Sequence, residues 1–309
     1  MNQHLGWASI FFLNALIGLA ALFSATRIKG EWADARGERF DVTGSALYMV
    51  GLVAFLYSFS SIATSVTAKY TLIIGLGLLV LFVRHEMKSK QPIININLFS
   101  HNITFALSNL AALINYSATF AVTFLLSLFL QVVMGFSSSA AGMILLAQPV
   151  MMALLSPFAG SLSDHVQPRI VSSWGMGITT IGLFFLGFIS VETPVWLIVA
   201  NLMLLGTGFA LFSSPNMNAI MGSVEKRYYG VASSTTGTMR LIGQAISIAM
   251  ATLIIDMYVG SAQLTPAVAV MLQKSVNVAF IVFAVTCVGG VFASLARGDI
   301  NTVTSQPKS

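Results

Sequence analysis

The sequence has 309 residues, of which 56% are hydrophobic and only 8% charged, with a formal net charge of +5. A soluble domain carries about 25% charged residues, so this chain has too little polar surface to cover a soluble core, and the same composition excludes intrinsic disorder. The excess cations are scattered between apolar blocks and form no stripe, which argues for orientation in a membrane and against nucleic acid.

A helix needs about 20 apolar residues to cross the hydrocarbon core. Nine runs qualify in chain order: 8–26, 43–62, 65–83, 104–132, 140–160, 170–190, 195–215, 230–257 and 275–296. The third is the least secure, because Lys69 and Arg84 bracket only fourteen residues, so "ATSVTA" at 63–68 must contribute. Helices are forced, since open strands leave backbone groups unpaired in lipid. No run alternates as an outer-membrane barrel does. The expected fold class is an all-α membrane protein, a polytopic helical bundle.

The N-terminal "MNQHLGW" has no Lys or Arg and does not read as a signal peptide. Residues 27–42 mix both charge signs. Residues 84–103 begin basic and turn amphipathic, with Ile93, Ile94, Ile96, Leu98 and Phe99 suited to a short interfacial helix. Cys287 is the single cysteine and lies in an apolar run. His4, His85, His101 and His165 lie far apart in connectors. That pattern offers neither a disulfide framework nor metal-ligand spacing, and no cofactor is implied.

The fourth run carries Asn109, Asn115, Tyr116, Thr119 and Thr123, with a polar stripe at 115, 119 and 123. Such a stripe lines a cavity or serves as interhelical glue worth about 0.6 kcal/mol per bond. Met151, Met152, Phe158, Phe184 and Phe185 suit either an adaptable apolar pocket or a core and lipid-facing role. Pro149, Pro157 and Pro215 are expected to break or bend helices. Gly206, Gly208, Gly237 and Gly243 are expected to let helices approach closely. "GSLSDHVQPR", Gly160 to Arg169, reads as a tight loop. There Asp164 is placed to cap the next helix, and Arg169 to pair with it or to anchor at the membrane surface. Asn216 and Asn218 read as a helix-end cap.

Arg240 sits some ten residues, roughly 15 Å, into the eighth run. A charge at that depth costs at least about 2.5 kcal/mol, so it must face the bundle interior or a water-filled cavity. Gln244 is one turn on, on the same face. The pair reads as part of a substrate or proton pathway, or Arg240 as a structural arginine bonded to carbonyls or snorkelling. Asp256 lies roughly 24 Å beyond Arg240, near the outer interface, as a proton-carrying candidate or a solvated helix end. The remaining carboxylates fall in connectors or at helix ends.

Nine alternating crossings sort twelve Lys and Arg residues, including Arg169 and Arg297, to one side. Only Lys69 and Lys274 fall on the other, and Arg240 lies within a run. The bias directs the C-terminus to the cytoplasm and the N-terminus outside. An intramembrane enzyme is disfavoured, because no nucleophile and base pair up at membrane depth and Asp164 and Asp256 fall on opposite sides.

Several stretches together carry a family resemblance. They are "GWASIFFLNALIGLAAL", "RFDVTGSAL", "PIININLFSHNITFALSN", "LFLQVVMGFSSSAAGMILL", "GSLSDHVQPR" and "GTGFALFSSPNMNAIMGSVEKRYYGVASSTTGTMRLIGQAI". In order and spacing the chain resembles the fourteen-helix drug:proton antiporter branch of the major facilitator superfamily. "GSLSDHVQPR" is similar to that superfamily's G-x-L-x-D-x-x-G-x-R loop, with His165 where Arg is frequent and without its second Gly. The resemblance implies that residues 1–90 hold the last helix of an N-terminal half and a central helix pair. Residues 91–300 are then a C-terminal six-helix bundle, and 301–309 a polar cytoplasmic tail. It implies that helices one to five, with the main loop motif and the usual proton-binding carboxylate, lie outside this chain.

It further implies a multi-pass protein of the cell membrane that exports drugs or small amphipathic compounds in exchange for protons. Gly160, Asp164 and Arg169 would then form a conformation-sensitive latch. The lipid bilayer and an N-terminal half protein are the expected partners. The alternatives are a truncated or split, non-transporting membrane protein, or a carrier of organic anions or siderophores, which Arg240 suits at least as well.

Overall fold

The computed structural model describes residues 8–27, 41–61, 65–89, 92–93, 99–100, 102–260 and 265–298. Among them there is no strand. The helices are α1 (Ala8–Ala25), α2 (Val42–Ser61), α3 (Val66–Glu86), α4 (Ile103–Thr119) and α5 (Ala121–Leu128). They continue as α6 (Ser138–Leu145), α7 (Ala147–His165), α8 (Pro168–Leu186), α9 (Val195–Gly222), α10 (Tyr229–Val259) and α11 (Ala269–Ala296).

Seven helical stretches among the described residues are long and apolar enough to cross a membrane: Val66–Glu86, Ile103–Val133, Ser138–His165, Pro168–Leu186, Val195–Gly222, Tyr229–Val259 and Pro266–Ala296. Asn14–Ala25 and Val42–Ser58 are apolar but shorter. All nine expected runs are therefore helical, and seven reach membrane length. The insecure third run is a 21-residue helix, since the polar turn after Ser65 extends it at its start. Ile94, Ile96 and Leu98 of the expected interfacial helix, most of 27–42 and the tail 301–309 lie outside the described residues.

The chain divides into two compact units, Met1–Arg39 and Phe40–Ser309. In the first, α1 exposes Phe12, Leu16, Leu19 and Leu22. In the second, α2 and α3 form an antiparallel pair and α2 also meets α10. The largest contacts in the rest of this unit are α8 with α9, α9 with α7, α8 with α11, and α10 with α4. The core between α5, α8 and α11 is fully buried at Leu125, Leu126, Met176, Leu183, Phe280 and Phe283. The opposite faces expose Leu154, Phe158, Trp174, Phe185 and Phe292, as expected where the surroundings are as apolar as the core.

Small residues set the closest approaches. A Cβ added to Gly175 would lie 2.6 Å from both Gly208 O and Phe212 N, so α8 and α9 touch backbone to backbone. A Cβ at Gly243 would lie 2.7 Å from Leu113 O of α4. Gly237 differs from the expectation, with nothing within 4 Å of an added Cβ, because it faces a cavity.

Of the three prolines, one stands at a helix break. Pro157 and Pro215 lie inside continuous helices. Pro149 follows the break between α6 and α7, and its ring opposes the carbonyl four residues back, at Leu145, the last residue of α6. The fourth crossing is interrupted twice. At Phe120 the helix turns, and the Ala121 N–H donates to Ser247 Oγ of α10 at 2.9 Å. At Phe129–Val133 the chain widens into a π-helical turn, closed by Gly135 at φ 74. Inserted side chains and π-turns are recognised causes of such breaks.

Candidate functional site

α4 and α10 run parallel. Thr236 Oγ1 donates to Asn109 Oδ1 at 3.2 Å, Gly243 rests on Leu113 to Ser117, and Ser247 meets Ala121. This register sets Arg240 beside Tyr116, with the guanidinium carbon 5.3 Å from the ring centroid. Gln244 follows one turn later. The two helices, with α5, α7 and α9, enclose a cavity of about 610 Å³ whose polar lining includes Thr119, Thr123, Gln148, Arg240 and Gln244. Phe120, Phe124, Met152 and Phe209 supply apolar walls. A second cavity of about 500 Å³ shares Tyr116 and Arg240 and continues past Ser233, Thr236, Gly237, Asn216 and Asn218. Among the described residues no carboxylate pairs with Arg240, and its side chain is exposed to this space.

The structure therefore brings Arg240, Gln244 and Thr119 together and leaves two candidates elsewhere. Asn115 is fully buried, and neither end of its amide has a partner. It lies behind the cavity wall, where its backbone carbonyl accepts from Thr119 Oγ1 at 2.8 Å. Asp256 is half-buried, three residues from the far end of α10, and lines neither cavity. Of the polar stripe, Thr119 and Thr123 line the cavity and Asn115 does not, whereas Asn109, outside the stripe, bonds to α10. Phe158, Phe184 and Phe185 are exposed away from it.

The Gly160 to Arg169 stretch is not the tight loop expected. α7 runs through Gly160 and Asp164 to His165, and only Val166 and Gln167 separate it from α8. The cap expected from Asp164 is absent. The N-cap is Gln167, which makes no side-chain cap bond, because Pro168 occupies the first turn, where its missing N–H costs nothing. Asp164 is exposed, Gly160 packs toward Ser214 of α9, and Arg169 Nε donates to Gln167 Oε1 at 2.9 Å. Asn216 and Asn218 do not cap a helix end either. Both lie inside α9, where Asn218 Nδ2 donates to Ser163 Oγ at 2.5 Å.

Asn216 belongs to a knot that sequence reasoning missed. Arg297, read as one more basic connector residue, is 0% exposed. Its Nη1 donates to Asn216 Oδ1 at 2.6 Å and Ser108 Oγ at 3.1 Å. Its Nη2 donates to Ser294 Oγ at 2.9 Å, to Ser172 Oγ, and to the carbonyls of Pro168 and Arg169 at 3.5 Å. The Arg297 carbonyl accepts from Thr104 Oγ1 at 2.8 Å. One residue thus ties together α4, α8, α9 and α11. Burial, with Arg169 adding to it, pushes the guanidinium down to about 10, so it stays charged at neutral pH. The only signal in the sequence was a serine or an asparagine at the same end of each partner helix.

A second cluster caps α2. Asp41 accepts the Gly44 N–H at 2.7 Å, His85 Nε2 at 2.8 Å and Ser89 Oγ at 3.2 Å. The Gly44 bond, with His85 helping, holds the Asp41 carboxyl below its ordinary value. Glu86, expected in a connector, is the buried last residue of α3. Among the described residues no group of His, Cys, Asp and Glu has the arrangement of a metal site.

Comparison with known proteins gives a consistent picture. The sequence model of the Major Facilitator Superfamily matches residues 109–308. The riboflavin transporter RibZ of Clostridioides difficile (strain 630) is 29% identical over 248 residues, 80% of this chain and 54% of that protein. Multidrug resistance protein Stp of Mycobacterium tuberculosis (strain ATCC 25618 / H37Rv) is 29% identical over 253 residues, covering 79% and 46%. Lincomycin resistance protein LmrB of Listeria innocua serovar 6a (strain ATCC BAA-680 / CLIP 11262) is 25% identical over 253 residues, covering 81% and 54%. The chain spans about half the length of the curated relatives it matches.

Proposed function

Because this chain belongs to the major facilitator superfamily, we propose that it supplies the C-terminal part of a transporter that moves small amphipathic molecules across the cell membrane. In this reading export is coupled to protons, and the end that carries Arg169 and Arg297 faces the cytoplasm. The observation that carries the proposal is the pair of joined cavities around Arg240 and Tyr116, with one cation, amides and hydroxyls set among aromatic walls. Ligand sites take this form, mostly apolar with a few polar groups fixing orientation. Relatives bearing the names of a riboflavin transporter and of resistance proteins support small-molecule cargo.

Arg240, Gln244 and Thr119 are the residues we assign to cargo contact. Asn115 positions Thr119, and we assign Asp256 to a proton step. Gly160, Asp164 and Arg169 remain the proposed latch at the α7–α8 turn, now as the end of a helix. A cargo with an anionic edge is the second reading. A cation with no carboxylate partner among the described residues favours it, since the charge is then neutralised only when cargo is bound.

That the chain spans about half of its relatives' length supports a reading in which an N-terminal half completes the transporter. The test is efflux from vesicles that contain this chain alone or co-expressed with a matching N-terminal half. Movement is expected only with both halves and is lost in Arg240→Ala. Efflux by the lone chain above empty-vesicle background would refute the need for a partner half, and unchanged efflux in Arg240→Ala would refute the site.

A further inference from the structure

The two cavities that meet at Arg240 are lined differently. The first sets Phe120, Phe124 and Phe209 around Tyr116, and the Tyr116 and Phe209 rings meet edge to face with centroids 5.6 Å apart. The second adds one aromatic, Phe212, and is lined instead by hydroxyls, among them Ser213 and Ser214 of α9 and Ser233 and Thr236 of α10. Ser233, Thr236, Gly237 and Arg240 follow one another at spacings of three and four, so α10 turns a single face to this space. Gly237 keeps the space open between the hydroxyls and the guanidinium, since an added Cβ there would meet nothing within 4 Å.

Thr236, Asn216 and Asn218 are already bonded within the protein. Ser213, Ser214 and Ser233 make no hydrogen bond among the described residues. A hydroxyl both donates and accepts, and so does each hydroxyl of a polyol, so the two match without a fixed sign of charge. An apolar substituent in the same place would strip water from these serines and return nothing, which is how a polar site rejects an analogue that lacks the hydroxyl. Among the described residues no Asp or Glu lines either cavity, so a cationic cargo would meet Arg240 and no counter-charge.

On the reading that these cavities contact cargo, we propose that the cargo is a molecule of two parts. A planar aromatic ring lies in the first cavity and a polyhydroxylated substituent in the second, with a carbonyl or oxyanion of the molecule against Arg240. Flat rings suit edge-on and face-on aromatic walls, and the guanidinium supplies several donors to one acceptor.

Three neutral probes test this by equilibrium dialysis of the purified chain in detergent against protein-free detergent. 4-Methylumbelliferyl glucoside has both parts and a ring carbonyl. 7-Methoxy-4-methylcoumarin has the same ring with a methyl group in place of the sugar. Methyl glucoside has the sugar alone. The two-part probe is expected to bind about tenfold or more tighter than either part, the scale on which matched hydroxyls discriminate. Its advantage over the coumarin should fall to about threefold or less when Ser213→Ala and Ser233→Ala are combined. Arg240→Ala should weaken both ring-bearing probes.

The proposal is overturned if the coumarin or methyl glucoside binds as tightly as the two-part probe, or if the double serine variant keeps the full preference. Those outcomes leave the cargo site standing as long as Arg240→Ala weakens the ring-bearing probes. If no probe binds, or Arg240→Ala changes nothing, the cargo site falls and the two-part cargo falls with it.

Discussion

Two arginines of this molecule exchange the roles that hydropathy assigns them. Arg240 lies mid-crossing, where a charge has to be accounted for, yet its described contacts reduce to the face of Tyr116 and two cavities. Arg297 lies just past the last crossing, where a basic residue is routine, yet it is fully buried and bonded to four helices. Depth along a helix is a one-dimensional property, whereas burial is set by which neighbours the bundle brings up. A guanidinium whose Nη donors are taken up by fixed protein partners holds helices together. One whose donors face open space is available to something that comes and goes. The two should therefore respond to mutation in opposite ways.

The largest effect is expected at Arg297. Arg297→Ala leaves Asn216 Oδ1, Ser108 Oγ and Ser172 Oγ without the guanidinium in a buried site, while the Pro168 and Arg169 carbonyls and Ser294 keep serine hydroxyl partners. Each orphaned group costs about 1–3 kcal/mol, and part of the loss is relieved by relaxation. A destabilisation of about 3 kcal/mol or more is expected, read as a drop in the detergent unfolding midpoint, with Arg297→Lys recovering part of it. A midpoint unchanged by Arg297→Ala would make the residue an ordinary surface anchor and remove half of the contrast.

The parts of this architecture that were legible in the sequence are those that depend on local composition. Apolar runs forced helices, so all nine were found, including Val66–Glu86. Arg240 and Gln244 were legible because helical spacing alone puts them on one face. What lay out of reach depended on tertiary approach. Asn216 and Asn218 look like helix-end residues in "SSPNMNAIMGS", because a proline precedes them. They lie inside α9 because the helix continues through Pro215. The turn after α7 was misplaced by several residues, since Gly160 and Ser161 suggested a loop where the chain keeps its helix to His165. The Asp41–His85 pair joins residues 44 apart in sequence, and no local pattern announces it.

The next effect in size concerns the framework that brings the Arg297 partners together. A methyl group at Gly175 meets only backbone atoms of α9, at 2.6 to 2.7 Å, so the helices must part. Gly175→Ala is expected to cost about 1–3 kcal/mol, the usual range for overpacking. Gly237→Ala, which meets nothing within 4 Å, should raise the unfolding midpoint slightly, since Ala is favoured over Gly in a helix interior by about 0.8–1 kcal/mol. Equal midpoints for the two variants would show that α8 and α9 do not touch.

A smaller effect is expected at the α2 cap. Asp41→Ala should cost about 1 kcal/mol and speed hydrogen exchange at the Gly44 amide. The Asp41 carboxyl lies below its ordinary value of 3.8 in the folded chain. Its contribution is therefore complete above that pH and is lost as the pH falls through the depressed folded value. Protection of Gly44 should be level from pH 8 to pH 5 and should disappear in strong acid. A change in protection anywhere between pH 8 and pH 5 would mean that the Asp41 carboxylate does not govern the cap.

The smallest effect on stability is expected where hydropathy alone would place the greatest. An exposed cation–π contact is worth about 0.5–1 kcal/mol, and removing a charge from membrane depth relieves a cost of at least about 2.5 kcal/mol wherever that charge is poorly solvated. The two terms oppose each other, so Arg240→Gln should move the unfolding midpoint far less than Arg297→Ala, and in either direction. Its signature lies in binding: an anionic aromatic dye should outcompete a cationic dye of the same ring size in the native chain, and the preference should vanish in Arg240→Gln. Tyr116→Phe keeps the ring face and should keep the preference, whereas Tyr116→Ala frees the guanidinium and widens the cavity. If Arg240→Gln instead unfolds as readily as Arg297→Ala, both arginines are structural, and the cavity around Tyr116 is only space between helices.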